Sequence, residues 1–471
     1  MLWGKTNKET AYAWLRGLMF AVVAMLALHQ DGAAVLLVIT GVYGILLAYK
    51  TRRDLRYQVL PRTLNYGLLL LWLVAYLSLH QVQNLENLWA CTYNFIYVTG
   101  QYALLIWLVQ RFPGIHLPAW QMVTWDVQKE DLTIRRMAKV VLNLPNADAM
   151  HLNLAEEKAA ALAKLPWWKR WLYGPWPLQI LIVMGLVGLG VVLYGLEQHF
   201  FQVVPTGDWI DTDANPLLKT RVFSTWENPN IFAGYLCMLG AYLMAFISVQ
   251  TDKRWQAGLF AYLLLTSLCL VYTYSRGFWA AMLAEMFCFV VLFYWQGWKY
   301  LVGLLIVSGL LAGPTIQQRL LTITSVHDTS AELRLAYFEI VGDIIRAHPF
   351  GVGWYNYQFI FPEYDFFFKD PSVPMYHCHN WLLNITAETG VQGLLIFLFC
   401  WLIVLRLAWQ LHKRAGRSWE KAVGRGYLLM SCGAFVGGLA DHVFFNVRLG
   451  LLFWLLTMLV VVVRKYMSLE R

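Results

Sequence analysis

Two histidines separated by one residue, with an asparagine directly after the second, stand in Met375-Tyr376-His377-Cys378-His379-Asn380-Trp381. Histidine is the side chain best suited to take a proton from a hydroxyl near neutral pH. A lone loop histidine is more often an ordinary surface residue, so the pair needs partners before it implies catalysis. His-x-His could also ligate zinc, but no third His or Cys stands at a familiar spacing, and no metal is expected. Two other segments carry arginines among polar neighbours: Thr220–Asn230, with Arg221, and Ser275-Arg276-Gly277. Arginine is planar, permanently charged and able to bind an oxyanion through two hydrogen bonds, which suits it to phosphate. Each arginine also has an ordinary reading: Arg276 as a cation snorkelling at a lipid boundary, Arg221 as a loop charge. Asn228-Pro229 reads as a turn followed by a helix start, with Pro near the first helical position.

The elements that must position these residues are apolar. The chain of 471 residues is 59% hydrophobic and only 14% charged, with mean hydropathy +0.50. Soluble domains carry about 25% charged residues, so this is the composition of an integral membrane protein. A bilayer core of about 30 Å needs roughly 20 apolar residues per helix. Twelve stretches meet that need: 12–29, 32–49, 64–80, 91–109, 177–196, 229–250, 256–274, 277–297, 300–315, 389–408, 426–445 and 448–463. No cleavable signal peptide is expected. The seven cysteines mostly fall inside apolar runs and form no CxxC pair, which argues against a disulfide framework or structural zinc.

Basic residues set the expected orientation. With both termini cytoplasmic, the outside segments hold only Lys219, Arg221, Arg276, Arg319, Arg334, Arg346, Lys369 and Arg448 of the 37 Lys and Arg. The rest face an anionic inner leaflet, which accounts for the net charge of +9 without nucleic acid. The expected fold is therefore an all-α polytopic membrane protein of about twelve transmembrane helices. One large extracytoplasmic loop with helices of its own separates spans nine and ten. Residues 1–110 carry spans one to four, 111–176 a cytoplasmic or interfacial insertion, and 177–315 spans five to nine. The loop occupies 316–388, and 389–471 carry spans ten to twelve.

In the insertion, Leu154–Lys164 has a helical pattern and Trp167-Trp168-Lys169-Arg170-Trp171 reads as an interfacial anchor. In the large loop, Ala331–His348 has helical spacing, with Leu333, Tyr337, Ile340 and Ile344 on one face, and Pro349 ends it. Gly351-Val352-Gly353 makes a tight turn. The aromatic stretch Phe359–Phe368 is expected to rest on the membrane surface. Glu285 is the clearest charge inside a span, and Asp441 lies nearer an outer end.

Four pieces in order resemble the O-antigen ligase and polymerase superfamily. They are Arg221…Asn228-Pro229-Asn230-Ile231-Phe232-Ala233-Gly234; Ser275-Arg276-Gly277; Arg334…His348-Pro349-Phe350-Gly351-Val352-Gly353; and His377-Cys378-His379-Asn380…Glu388-Thr389-Gly390…Gly393. The resemblance runs from about Lys219 to Gly393. It implies a glycosyltransferase of the bacterial inner (cytoplasmic) membrane that needs no cofactor or metal. The donor would be a glycan on undecaprenyl diphosphate, presented at the outer face, and the acceptor a hydroxyl such as one on the lipid A core. Membrane lipid would be a further partner. On the matching positions, Arg221 and Arg276 would grip the diphosphate and His379 would deprotonate the acceptor. His377 and Asn380 would support it, with Arg334, Asn228 and Asn230 as further substrate-binding residues. A single displacement would invert the anomeric carbon. The chain departs from the family pattern in its insertion and at Ser224–Glu227, where a glycine-containing stretch is usual; Glu227 could pair with Arg221.

The resemblance leaves several functions open. A ligase would pass a finished glycan to a different acceptor; a polymerase would pass it to another lipid-linked repeat; a protein O-oligosaccharyltransferase would share the donor. Repeated Arg-rich motifs in two outer loops, which some polymerases show, are absent, which favours the ligase. A small-anion (bicarbonate) transporter would instead need ionisable groups near the bilayer midplane, where only Glu285 stands clearly.

Overall fold

A computed structural model describes residues 5–50, 60–111, 175–201, 218, 220–299, 302–303, 306, 313–321, 329–366 and 375–469. Among these there is no strand. The helices are α1 (Lys5–Leu28), α2 (Gln30–Lys50), α3 (Arg62–Ser78), α4 (Leu85–Arg111), α5 (Trp176–Phe201), α6 (Pro229–Val249), α7 (Lys253–Tyr272) and α8 (Arg276–Phe293). The short α9 (Pro314–Leu321), α10 (Thr329–Ala347) and α11 (Tyr357–Tyr364) follow, and then α12 (Trp381–Arg414), α13 (Ser418–Gly438) and α14 (Val447–Leu469). Among the described residues eight helices, α2, α3 with its 3-10 extension, α5 to α8, α12 and α14, are long and apolar enough to cross a membrane. Across the described residues the chain is an all-helical polytopic membrane protein. The expected span 300–315 and the insertion, with Leu154–Lys164 and Trp167–Trp171, lie largely or wholly outside the described residues, as do Lys219 and Lys369.

Side-chain caps fix where the helices begin. Asn228 accepts from the backbone N–H groups of Asn230 and Ile231, with Pro229 in the first turn of α6. Asn380 does the same for α12 through Leu382 and Leu383, and Asn446 for α14 through Arg448 and Leu449. An asparagine oxygen satisfies donors that would otherwise lack an intrahelical partner.

The same end of the bundle receives the ends of the intervening helices. Val222 N–H donates to Tyr272 O at the end of α7. The Asn380 amide donates to Leu439 O just after α13, and Thr225 Oγ1 to Ala27 O near the end of α1. Arg448 donates from Nε to Leu26 O and from Nη1 to Thr225 O, with its guanidinium 4.0 Å from the Trp226 ring centre.

Close packing in the middle of the bundle relies on α13. Gly426 faces Tyr242 of α6, Gly437 faces Phe278 of α8 and Gly438 faces Trp381 of α12, each too close for a Cβ. Small residues that let helices approach are the usual packing device in a membrane, where lipid is as apolar as leucine.

Helix α13 ends at Gly438, earlier than the apolar run 426–445 suggests. Gly437 and Gly438 are pressed against Phe278 and Trp381, and the chain then turns until Asn446 caps the next helix. Val443-Phe444-Phe445 made the run look continuous, yet Asp441 and His442 sit in this turn and not in a span.

The loop helix α10 buries Ile340, Val341 and Ile344, with Tyr337 packed beside them. The aromatic stretch Phe359–Phe368 differs from expectation at Phe361 of α11, which is buried in the same cluster as Tyr357 just ahead of the stretch. Burial against α10 removes them from any lipid surface. Only the part to Phe366 is described, and Phe366 is exposed.

Candidate active site

Beyond the described segment of the loop, Met375–Asn380 leads into the start of α12. His379 has φ 54°, in the left-handed region that a non-glycine residue adopts at a cost of order 1–3 kcal/mol. Its N–H donates to Nδ1 of His377 at 3.2 Å, and the next residue, Asn380, caps the helix. The five non-glycine residues with such backbone among those described are Ser224, Glu227, Tyr274, Tyr355 and His379. Ser224 and Glu227 precede Asn228, Tyr274 precedes Ser275-Arg276, and His379 is itself a candidate base. Backbone strain thus collects at the segments singled out for chemistry.

The sequence gives no near neighbour for His379, but the fold supplies one. Its Nδ1 lies 3.2 Å from Oδ1 of Asp441 in the turn after α13. His442 N–H donates to the same oxygen at 2.8 Å. Burial would raise the Asp441 carboxyl; the hydrogen bond from His379, the nearby histidine charges and the His442 N–H outweigh it and hold the carboxyl well below its ordinary range. Asp441 is therefore an anion at neutral pH. A carboxylate only accepts, so His379 carries its proton on Nδ1 and Nε2 is left as the basic nitrogen.

The two histidines are not equivalent. Burial pushes His377 down to about 4, against the pull of Asp441 and with some help from His379. His377 is neutral at pH 7, so its 4.0 Å approach to Asp441 is not an ion pair there. Its Nδ1 is occupied by the His379 N–H. The His379 side chain is 30% exposed against 18% for His377, so His379 is the more reachable of the two. The rings lie 4.5 Å apart, and Tyr337 of α10 stacks on His379 at 6.1 Å.

These groups line a cavity of about 100 Å³ with Asn228, Asn230, Ile231, Phe278, His442, Phe445, Asn446 and Leu449. The lining comes from the first turns of α6, α8 and α14, the turn after α13 and the segment before α12. Three helix N-termini therefore open toward one space. Each helix start carries about half a positive charge, so the space favours an anion.

The arginines stand one step back from it. Arg221 is buried; Nε donates to Thr273 O at 2.8 Å and Nη2 to Asn230 Oδ1 at 2.8 Å. It joins the wall residue Asn230 to the hairpin Tyr272–Arg276. Glu227 is exposed, and its charge acts on Arg448. Arg276 begins α8 and is half-buried, two residues before the wall residue Phe278. Arg334 lies on α10, one turn before Tyr337. Asn228 reaches the wall while capping α6; Asn380 is a cap and a tie to Leu439. The structure thus gathers His377, His379, Asn228 and Asn230 at the cavity, and leaves Arg334 and Asn380 off its wall. Among the residues that spacing alone did not single out for the site, Asp441 is the main one. The signal lay in a charge next to a histidine at the end of an apolar run, which reads as a span end.

Two separate motif pieces prove to be structural mates. At Gly390, with φ 76°, α12 kinks and frees carbonyls of its first two turns. Val352 N–H donates to Ala387 O and Gly353 N–H to Glu388 O, while Val391 N–H donates to Pro349 O. Gly351 (φ 94°) and Gly353 (φ 113°) supply the backbone this docking needs. A Cβ on Gly351 would lie 2.5 Å from Glu388 O.

Residues 261–398 match the family described as O-antigen ligase. The resemblance to that superfamily is borne out. The matched segment contains Arg276, Arg334, His377, His379 and Asn380 and the docking of Gly351-Val352-Gly353 on α12. Arg221, Asn228, Asn230 and Asp441 lie outside it. No curated protein matches the chain. The family match and the apolar helices together support an O-antigen ligase or polymerase type of activity in a multi-pass membrane protein.

Proposed function

We propose that the protein is an O-antigen ligase-type glycosyltransferase of the inner membrane. It moves a glycan from undecaprenyl diphosphate to an acceptor hydroxyl, such as one on the lipid A core, at the extracytoplasmic face. The observation that carries this reading is the His379–Asp441 pair at a cavity onto which three helix starts open.

The acceptor hydroxyl gives its proton to Nε2 of His379 as its oxygen attacks the anomeric carbon. Asp441 holds the imidazole in the required tautomer and stabilises the imidazolium that forms. The bond to the diphosphate breaks on the opposite side, so the configuration inverts. The leaving diphosphate gains charge, which Arg276 and the helix starts stabilise more in the transition state than in the ground state. Arg221 acts by holding Asn230 and the Arg276 hairpin in register, with its charge close behind. No step calls for a metal.

The family description and the absence of repeated Arg-rich outer motifs favour the ligase over the polymerase. Glu285, the residue a transporter would use, is fully buried against Gly433 of α13, and both carboxylate oxygens lack a partner in a hydrogen bond. It is not among the residues that line the His379–Asp441 cavity. A deletion strain separates the main readings by its surface polysaccharide. Loss of a ligase leaves full-length chains on the lipid carrier; single repeats attached to the acceptor would instead identify a polymerase.

A further inference from the structure

The fold completes a donor set that the spacing of His377 and His379 alone does not. Ligand atoms of His377, His379 and Asp441 all lie within 4.8 Å of one another. A tetrahedral ion with bonds of about 2.0–2.1 Å holds its ligand atoms roughly 3.3–3.5 Å apart. His379 Nδ1 and Asp441 Oδ1 are at 3.2 Å; His377 Nδ1, which would exchange its hydrogen bond from the His379 N–H for the ion, is 4.0 Å from Asp441 Oδ1. Ring rotations that draw the outer atoms in by about 1 Å would close the site. Two imidazoles and one carboxylate suit Zn²⁺ and its neighbours and not Mg²⁺ or Ca²⁺.

A further polar atom points to a ligand here. Nδ1 of His442 is buried without a hydrogen-bond partner, and its ring lies 5.9 Å from that of His377 on the same cavity wall. A metal-bound water would give that nitrogen a partner.

We propose that His377, His379 and Asp441 bind a Zn²⁺-class ion, and that its binding switches the glycan-transfer site off. The switching half rests on the proposed base role of His379; the binding half does not. Coordination through Nδ1 of His379 displaces the proton now given to Asp441. The imidazole then carries its one proton on Nε2, the nitrogen the acceptor must use, and can donate but not accept. Asp441, turned into a ligand, no longer orients the ring. The cation also sits at the cavity wall, where an incoming hydroxyl would need room.

The test uses the purified full-length chain in detergent, with Cys288→Ser and Cys432→Ser in the background, since those thiols lie 3.2 Å apart and could bind metal themselves. Co²⁺ is titrated and followed by its visible absorption. The expected result is one bound Co²⁺ per chain, displaced by Zn²⁺, with affinity lowered at least roughly tenfold in His377→Ala. Absence of binding, or equal binding by His377→Ala, overturns the site. In the same preparation Zn²⁺ should inhibit transfer, Mg²⁺ should not, and EDTA should restore it. Metal-stimulated transfer would overturn the inhibitory role and also the metal-free reaction. Protein that binds Co²⁺ as expected yet transfers no glycan under any condition would count against the proposed function, with the metal site intact.

Discussion

His379 and Asp441 are 62 positions apart in the sequence and 3.2 Å apart in space. Their pairing makes the roles separable by mutation. Asp441→Asn should lower transfer by about 10²–10⁴-fold, because an amide can favour the wrong tautomer and carries no charge. Combined with His379→Ala it should cost no more than the single change, since the two act as one unit. Additive losses in the steady-state rate would show that Asp441 acts elsewhere. The two arginines should also separate. Arg276→Lys should impair transfer, as lysine cannot bind an oxyanion at two points. Arg221→Lys should lower the melting temperature as well, because Arg221 holds Thr273 O and Asn230 through separate nitrogens. A wild-type melting temperature for Arg221→Lys would contradict its holding role.

At the scale of elements, the contact between Gly351-Val352-Gly353 and the kink at Gly390 fixes the large loop on α12 and so fixes where His379 enters. Trp354 extends the anchor, with N–H to Ser78 Oγ at 3.0 Å and Nε1–H to Asn94 Oδ1 at 2.9 Å. Gly351→Ala should destabilise the protein by about 2 kcal/mol or more, from the positive φ and the crowding on Glu388 O. Gly416→Ala, where a Cβ meets nothing within 4 Å, is the matched control. Thermal melts that do not distinguish the two would refute the docking. Much of this level was legible in the sequence. Pro349 after helical spacing ended α10, and Asn228-Pro229 placed the start of α6. What was not legible depends on contacts between distant segments. Nothing near Asp441 in the sequence announces His379, and the carbonyls that meet Val352 and Gly353 are exposed only by a kink. The burial of Phe361 was likewise hidden, because an aromatic-rich run reads the same whether it covers lipid or a loop helix.

For the molecule as a whole, the starts of α6, α8, α12 and α14 share one end with the ends of α1, α7 and α13. On the proposed topology, with both termini cytoplasmic, that end faces the extracytoplasmic side. Single cysteines placed at Tyr376 and at Gly416, in a chain cleared of its native cysteines, should react with a membrane-impermeant maleimide in intact cells at the first position only. The reverse pattern would move the site to the cytoplasm. The claim on which the account depends most is that His379 is the base of a glycan transfer. Its most direct measurement is transfer from undecaprenyl diphosphate-linked glycan to acceptor by purified wild type and His379→Ala, in the same detergent and with EDTA present. The account predicts a folded variant, shown by an unchanged elution profile, whose single-turnover rate is about 10²–10⁴-fold lower. A variant that transfers at the wild-type rate would contradict it.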